Sequence, residues 1–362
     1  MYHIINKTND LLRICLNNFN QNSLSKNFGC FDRNYWSYKT IDFPTGMSQT
    51  SLYALALAYK INFKNNICFK NQTIKNWCEA GIQHAIKISN RNGSLDDYFP
   101  YEQAVGATCF VYISIIKTIL LLNLKKGLYK NNIKNTVQFI SQSNESGIIS
   151  NHKAAEILLL CQYRTLYNDN SYLKYEIKKI NELNVNYNTE GWFKEYEGCD
   201  LGYHTVTLSR LIDIYNLTKN KKILFYCKKM VDFSLNFINP DFTYGGHYSS
   251  RGTSICYLDG YAKMMKYSND AIAFIKCAEI QIKNNLGPFY NDDKTSTHHL
   301  ISYLETIKEL ISKNYIYKKY LIEKKQFYKN DIFLISKEGI SKIKKKNLCL
   351  FFSIKKGGSF SI

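Results

Sequence analysis

The stretch Asp200-Leu201-Gly202-Tyr203-His204-Thr205-Val206-Thr207-Leu208-Ser209-Arg210-Leu211-Ile212-Asp213-Ile214-Tyr215 decides the fold. A loop rich in Gly, aromatic and charged residues ends near Tyr203. An apolar helical pattern begins there, with Leu208, Leu211, Ile212 and Tyr215 at i, i+3, i+4 and i+7. The same change from rich loop to apolar helix recurs near Met47, Tyr101, Asn151, Thr253 and Thr297. With Tyr203 included, the spacings are 54, 50, 52, 50 and 44 residues. A unit of about 50 residues holds two helices and two connections. A repeated helix pair that closes on itself is an (α/α)6-type toroid of about six helix pairs, mainly α, with its rich loops open at one end.

Other segments agree. Leu52, Leu55, Ala56 and Tyr59, then Ala154, Ile157, Leu158 and Cys161, then Ile223, Tyr226, Cys227 and Met230 repeat the helical spacing. Between the apolar helices lie more polar, Lys-rich segments at 73–90, 131–142, 171–185, 220–238 and 271–285, as an outer ring requires. Pro44, Pro100, Pro240 and Pro288 all fall in the loops. Gly93-Ser94-Leu95-Asp96-Asp97-Tyr98 resembles Gly191-Trp192-Phe193-Lys194-Glu195-Tyr196, two repeat units away. After about Tyr315 the character changes to short β-prone runs, Ile332–Ile335 and Leu348–Phe352. The expected organisation is a toroid over 1–314 and a short antiparallel β domain over 315–362. A final apolar strand leaves an unpaired edge, so the β part reads as incomplete, either truncated or completed by another chain.

With 362 residues the chain has ample length for a core. Its net charge of +19 favours anionic partners, although a Lys-, Asn- and Ile-rich gene composition would produce the same excess. No nucleic-acid-binding motif is present, which turns the reading from nucleic acid towards acidic polysaccharide. Eleven cysteines without CxxC pairs fit buried thiols in a reducing compartment, and the start lacks the apolar core of a signal peptide. The most apolar run, Ala104 to Ile116, meets Lys117 before it could span a bilayer. The expectation is a cytoplasmic protein without a membrane span, cofactor or metal.

The loops collect the reactive side chains. His152, His204 and His247 sit at loop-to-helix junctions on one end, where free N–H groups favour anions. Asn151 is either a ligand or simply an N-cap. Trp192 either stacks on a sugar ring or plugs the end of the barrel, and Glu195 lies in the same loop. Tyr248 and Arg251 follow the paired Gly245-Gly246, and Arg251 could fork onto a carboxylate or pair with a nearby acid. Asp96, Asp97 and Tyr98 form a further candidate cluster, with solvated loop carboxylates as its bland reading. Adjacent His298 and His299 point apart on a helix and do not make a metal site together.

Asn151-His152, followed about 50 residues later by Tyr203-His204, resembles the toroid of the heparinase II/III-like and alginate-lyase-like polysaccharide lyases. In that family a helical toroid precedes an antiparallel β-sandwich. The resemblance implies that Asn151 and His152 bind a uronate carboxylate, with His152 alternatively the base. It implies that Tyr203 protonates the departing glycosidic oxygen or exchanges roles with a second base. From their types and loop positions rather than from the resemblance, His204, Trp192, Glu195, Tyr98 and Tyr248 are expected to contact substrate, and Arg251 and His247 to hold neighbouring acidic groups. Two departures stand out. Glu197 precedes Tyr203 by six residues with Asp200 intervening, and most of the β domain is absent. Pro44-Thr45-Gly46-Met47-Ser48-Gln49 is also similar to uronyl C5-epimerases. The alternatives to a lyase are therefore an epimerase, a non-catalytic carbohydrate-binding or surface-polysaccharide biosynthesis protein, or a glycoside hydrolase using Asp97 and Glu195.

Overall fold

The computed structural model describes residues 1–251, 255–288, 292–313, 317, 331–335, 339–345, 348–355 and 357–361. Among them, two rings of helices alternate along the chain. The inner ring comprises α2 (Ser51–Lys60), α4 (Val105–Leu122), α6 (Ser150–Tyr167), α8 (Leu201–Thr218), α10 (Asp259–Met264) and α12 (Asp293–Ser312). Each packs on the next, and α12 packs back on α2, so the circle closes. The outer ring comprises α1 (Tyr2–Asn18), α3 (Gln72–Lys87), α5 (Lys130–Gln142), α7 (Leu173–Val185), α9 (Lys221–Leu235) and α11 (Asn269–Lys283). Composition sorts the rings. α2 buries every residue from Ser51 to Ala58, whereas α5 buries one stripe, Ile133, Thr136, Val137, Ile140 and Ser141. Each fully buried Leu or Ile contributes about 1.5–3 kcal/mol, so the inner ring dominates stability.

Four details differ from the sequence reading. It found five outer segments; the sixth is α1, which packs on α11 and α12 and completes the ring. The periodic set Ile223, Tyr226, Cys227 and Met230 is the buried face of outer helix α9. α4 starts at Val105, since Tyr101 and Gln103 hold left-handed φ values of 63° and 52° that no helix start tolerates. The expected start near Thr253 lies outside the described residues, and α10 begins at Asp259. α4 also runs through Lys117 to Leu122, so its 18 residues are long and apolar enough to cross a membrane; 72% of them are buried in the fold. All eleven cysteines are buried thiols.

The Gly93 and Gly191 likeness has a physical basis. Both hold positive φ, 85° and 103°. A Cβ on Gly93 would meet the Thr136 backbone nitrogen of α5 at 2.6 Å, and one on Gly191 would meet the Lys229 carbonyl of α9 at 2.7 Å. Each loop thus presses on the outer helix of its own unit. Gly29 repeats the device against α3. Two residues later, Phe31, Leu95 and Phe193 are all buried.

Among the described residues there are also two antiparallel sheets. β1 (Tyr187–Asn188) pairs with β2 (Trp192–Phe193). β3 (Asp331–Ile335), β4 (Ile340–Lys345), β5 (Leu348–Ser353) and β6 (Ser359–Ser361) form a meander in that order. Ile340, Cys349 and Phe351 pack into a second core with Trp192, Leu201, Phe233, Phe237 and Tyr248. Tyr248 stacks on Phe351 with centroids 4.2 Å apart and planes 6° from parallel.

Candidate functional site

The inner helices contribute their N-terminal halves and preceding loops to one cavity of about 630 Å3. Tyr203, Val206 and Arg210 line it from α8 at i, i+3 and i+7. Gly106, Phe110, Ile113, Ser114 and Lys117 line it from α4 in the same way. With 1.5 Å of rise per residue, Arg210 starts about 10 Å below Tyr203 along the ring axis.

At the floor of the cavity the ring is closed by charge. Lys117 Nζ lies 2.6 Å from Asp213 and 3.7 Å from Glu305. Lys263 Nζ lies 2.8 Å from Asp213 and 3.2 Å from Asp259. Tyr53 donates to Glu305, and Ser302 donates to Asp259 at 3.0 Å. Burial opposes the charge on Asp213, but the Lys117 and Lys263 ammonium groups override it and hold the carboxyl well below its usual range.

At the mouth, α6 presents Asn151 and His152. Asn151 is not the helix cap: its Nδ2 donates to Glu195 Oε1 at 2.7 Å and its backbone N–H to Glu195 Oε2 at 3.0 Å. Glu195 is buried behind Asn151, outside the cavity lining, and fixes the amide in place. Burial pushes the Glu195 carboxyl up to about 7, against the two Asn151 donors. His152 Nδ1 lies 3.2 Å from Glu145 Oε2. The imidazole sits directly over Gly106, where a Cβ would meet its ring at 2.3 Å, and edge-on to Phe110. Across the mouth, Arg251 lies 4.4 Å from the Tyr196 ring centroid and 5.9 Å from that of Tyr203. Burial, with Tyr196 close by, pushes the Tyr203 phenol well above its usual value, so it keeps its proton at neutral pH.

The cavity therefore gathers Asn151, His152, Tyr203, Arg251 and Tyr98 from the sequence-derived set. The other five are placed elsewhere. Glu195 supports Asn151. His204 is buried, Nε2 3.0 Å from the Met230 carbonyl, and burial lowers its imidazole to about 4. Trp192 is a plug in the second core, its Nε1 donating to Glu190. Tyr248 belongs to the same core, and His247 is exposed outside the lining. Of the adjacent acids, Asp97 lines the cavity, pairs with Lys294 at 2.8 Å and accepts the Met47 N–H at 3.1 Å. Asp96 instead accepts the Tyr101 and Gln103 N–H groups of its own loop.

Sequence reasoning missed Lys117, Glu145, Arg210, Lys294 and His298, all in the lining. A signal existed for two of them. Lys117 interrupts an apolar run, and Arg210 shares the Tyr203 stripe of an apolar helix. Among the described residues no cluster of three His, Cys, Asp or Glu side chains could hold a metal.

The sequence matches no protein-family model and no curated protein. The fold is similar to that of solved structures. The Lin0763 protein from Listeria innocua shares 13% identity at TM-score 0.60, over 85% of this chain and 97% of that one. An unsaturated glucuronyl hydrolase specific for heparin shares 10% at TM-score 0.56, over 88% and 98%. The polysaccharide lyase BACCELL_00875 shares 8% at TM-score 0.55, over 87% and 99%. At these identities the likeness establishes the helical toroid alone, a scaffold that carries a hydrolase and a lyase alike.

Proposed function

We propose that this cavity binds a uronate-containing polysaccharide and cleaves it by C5-proton abstraction and β-elimination. The observation that carries the reading is the convergence on one cavity of the adjacent Asn151 and His152 with Tyr203 and Arg251, which come from two other, distant loop-to-helix regions. The named activities of the lyase and glucuronyl hydrolase toroids support acidic glycan as the substrate class.

The geometry suits the chemistry. A C5 proton becomes removable once the adjacent carboxylate is neutralised. Asn151 has one Nδ2 hydrogen engaged by Glu195 and a second left for a substrate oxygen. His152 is the base: Glu145 beside Nδ1 faces the imidazolium that forms, leaving Nε2 to take the proton. The C5–H electron pair becomes the C4=C5 bond, and the C4–O bond breaks with its pair on oxygen. Tyr203, neutral at working pH, donates its proton to that oxygen, and proton return from His152 through solvent resets the site.

The hydrolase reading needs two carboxylates facing the sugar. Glu195 lies behind Asn151, so the pair Asp97 and Glu195 does not face one space, whereas Glu102 and Glu145 line the cavity with Asp97 and keep a hydrolase with a different pair as the second reading. The buried thiols favour the cytoplasm as the place of reaction. Ultraviolet absorbance of the unsaturated product, followed on a panel of uronate polysaccharides, tests the proposal. A rise that Tyr203→Phe and His152→Ala each reduce at least a hundredfold is expected. A flat trace with polymers that nonetheless bind would refute elimination and leave an epimerase, a hydrolase or a binding protein.

A further inference from the structure

We propose that Arg210 is the anchor for the substrate's carboxylate, set at the floor of the cavity beneath Tyr203. The proposal rests on reading this cavity as a uronate site and adds the group that selects the acid.

Arg210 is 8% exposed, and its Nε is buried without a hydrogen-bond partner. Its guanidinium makes no ion pair among the described residues and lies 5.6 Å from the Phe110 ring centroid, with both side chains lining the cavity. The other buried cations of the lumen are satisfied: Lys117 by Asp213 and Glu305, Lys263 by Asp213 and Asp259. Lys294 nearer the mouth is held by Asp97. A buried polar group left unpaired is costly, and arginine's planar fork matches a carboxylate with two parallel bonds. Arg210 lies two turns below Tyr203 on the same cavity-lining face of α8. A sugar acid entering from the mouth meets donors with its carboxylate at the bottom and keeps its ring between Arg210 and Tyr203. Neutral sugars leave the guanidinium unpaired, the arrangement that gives a site its largest discrimination.

The competing role for Arg210 is structural, balancing the carboxylates of the ion network beneath it. Thermal denaturation with D-glucuronate and D-galacturonate, against D-glucose and D-galactose, separates the two. The uronates should raise the melting temperature of the parent protein and the neutral sugars should not. Arg210→Lys keeps the charge beside the network but loses the fork; Arg210→Gln loses both. Uronate binding should weaken roughly ten- to a hundredfold in both, the worth of a charged hydrogen bond. A uronate shift that persists in both variants, or is missing from the parent protein, overturns the anchor. Should Arg210→Gln fail to fold, Arg210→Lys still decides. A flat ultraviolet trace with an Arg210-dependent uronate shift would defeat elimination and keep the anchor. Elimination by Arg210→Gln with an unchanged KM would do the reverse.

Discussion

Gly106→Ala should remove activity while leaving the fold intact. The residue is the second of α4, and an added Cβ would lie 2.3 Å from His152 Cε1, 2.6 Å from Nδ1 and 2.7 Å from Nε2. Ordinary carbon contacts need about 3.5–4.0 Å, so one partner must retreat by roughly 1 Å or more. α4 is packed between α2 and α6 and cannot move cheaply, whereas the imidazole borders the cavity. The ring therefore shifts, away from its place beside Glu145. A misplacement of about 1 Å costs about a hundredfold in rate, or roughly 2.7 kcal/mol of transition-state stabilisation. Alanine meanwhile favours the helix by roughly 0.5–1 kcal/mol over glycine, so the melting temperature should hold or rise. The assay is initial rate of unsaturated-product formation beside a melting curve. The double variant Gly106→Ala, His152→Ala should be no slower than His152→Ala alone, since the whole effect passes through one side chain. Activity within threefold of the parent, or a double variant clearly slower than His152→Ala, would refute the reasoning.

Three further outcomes follow from the same contacts. Because Glu195 moves from the usual 4.5 to about 7 on folding, the native state holds the extra proton between those values. Stability should then fall by about 3 kcal/mol as pH rises from about 4.5 to 7. Denaturant titrations of Glu195→Gln should lack that slope, and an identical pH dependence in both proteins contradicts it. Asp213→Asn leaves Lys117 and Lys263 short of their shared partner and should cost about 3–5 kcal/mol by urea unfolding; a loss under about 1 kcal/mol would show the network is not tightly coupled. Phe351→Ala removes the ring stacked on Tyr248 and should cost the sheet about 3–5 kcal/mol. Limited proteolysis should then cut within residues 331–361 well before the helices, and an unchanged cleavage pattern argues that other contacts hold the sheet.

The toroid was legible because its two rings differ in the one property a sequence displays directly, the distribution of apolar residues. α1 escaped because it precedes the first loop-to-helix junction and joins the ring only by packing on α11 and α12. The site was half legible. Asn151, His152 and Tyr203 announce themselves at helix starts, which geometry brings to one mouth. Trp192, Glu195 and Tyr248 have the same composition and loop context, yet face the second core or the back of Asn151. Which way a loop side chain turns depends on the outer helix it meets, and no local pattern encodes that. Tyr98 stands at the exposed rim of the lining with Lys294 over its ring, a contact across almost two hundred residues.

The charge of the whole chain and the charge of the cavity are separate matters. A net +19 concerns encounter, and at physiological salt exposed charges act over only about 8 Å. Within the lining, Lys117 and Lys294 are answered by Asp213 and Asp97. Arg210 and Arg251 make no ion pair among the described residues, and both touch aromatic rings instead. The proposed recognition of an anion in the cavity therefore rests on two guanidinium groups, one buried and one at the mouth. Added salt should weaken the approach of a polyanion to the surface far more than it weakens a single uronate at Arg210, because a desolvated pair is screened least. A gene rich in lysine codons explains the surface charge equally well, but it gives no reason for an unpaired arginine seven residues below Tyr203 on the same face of α8.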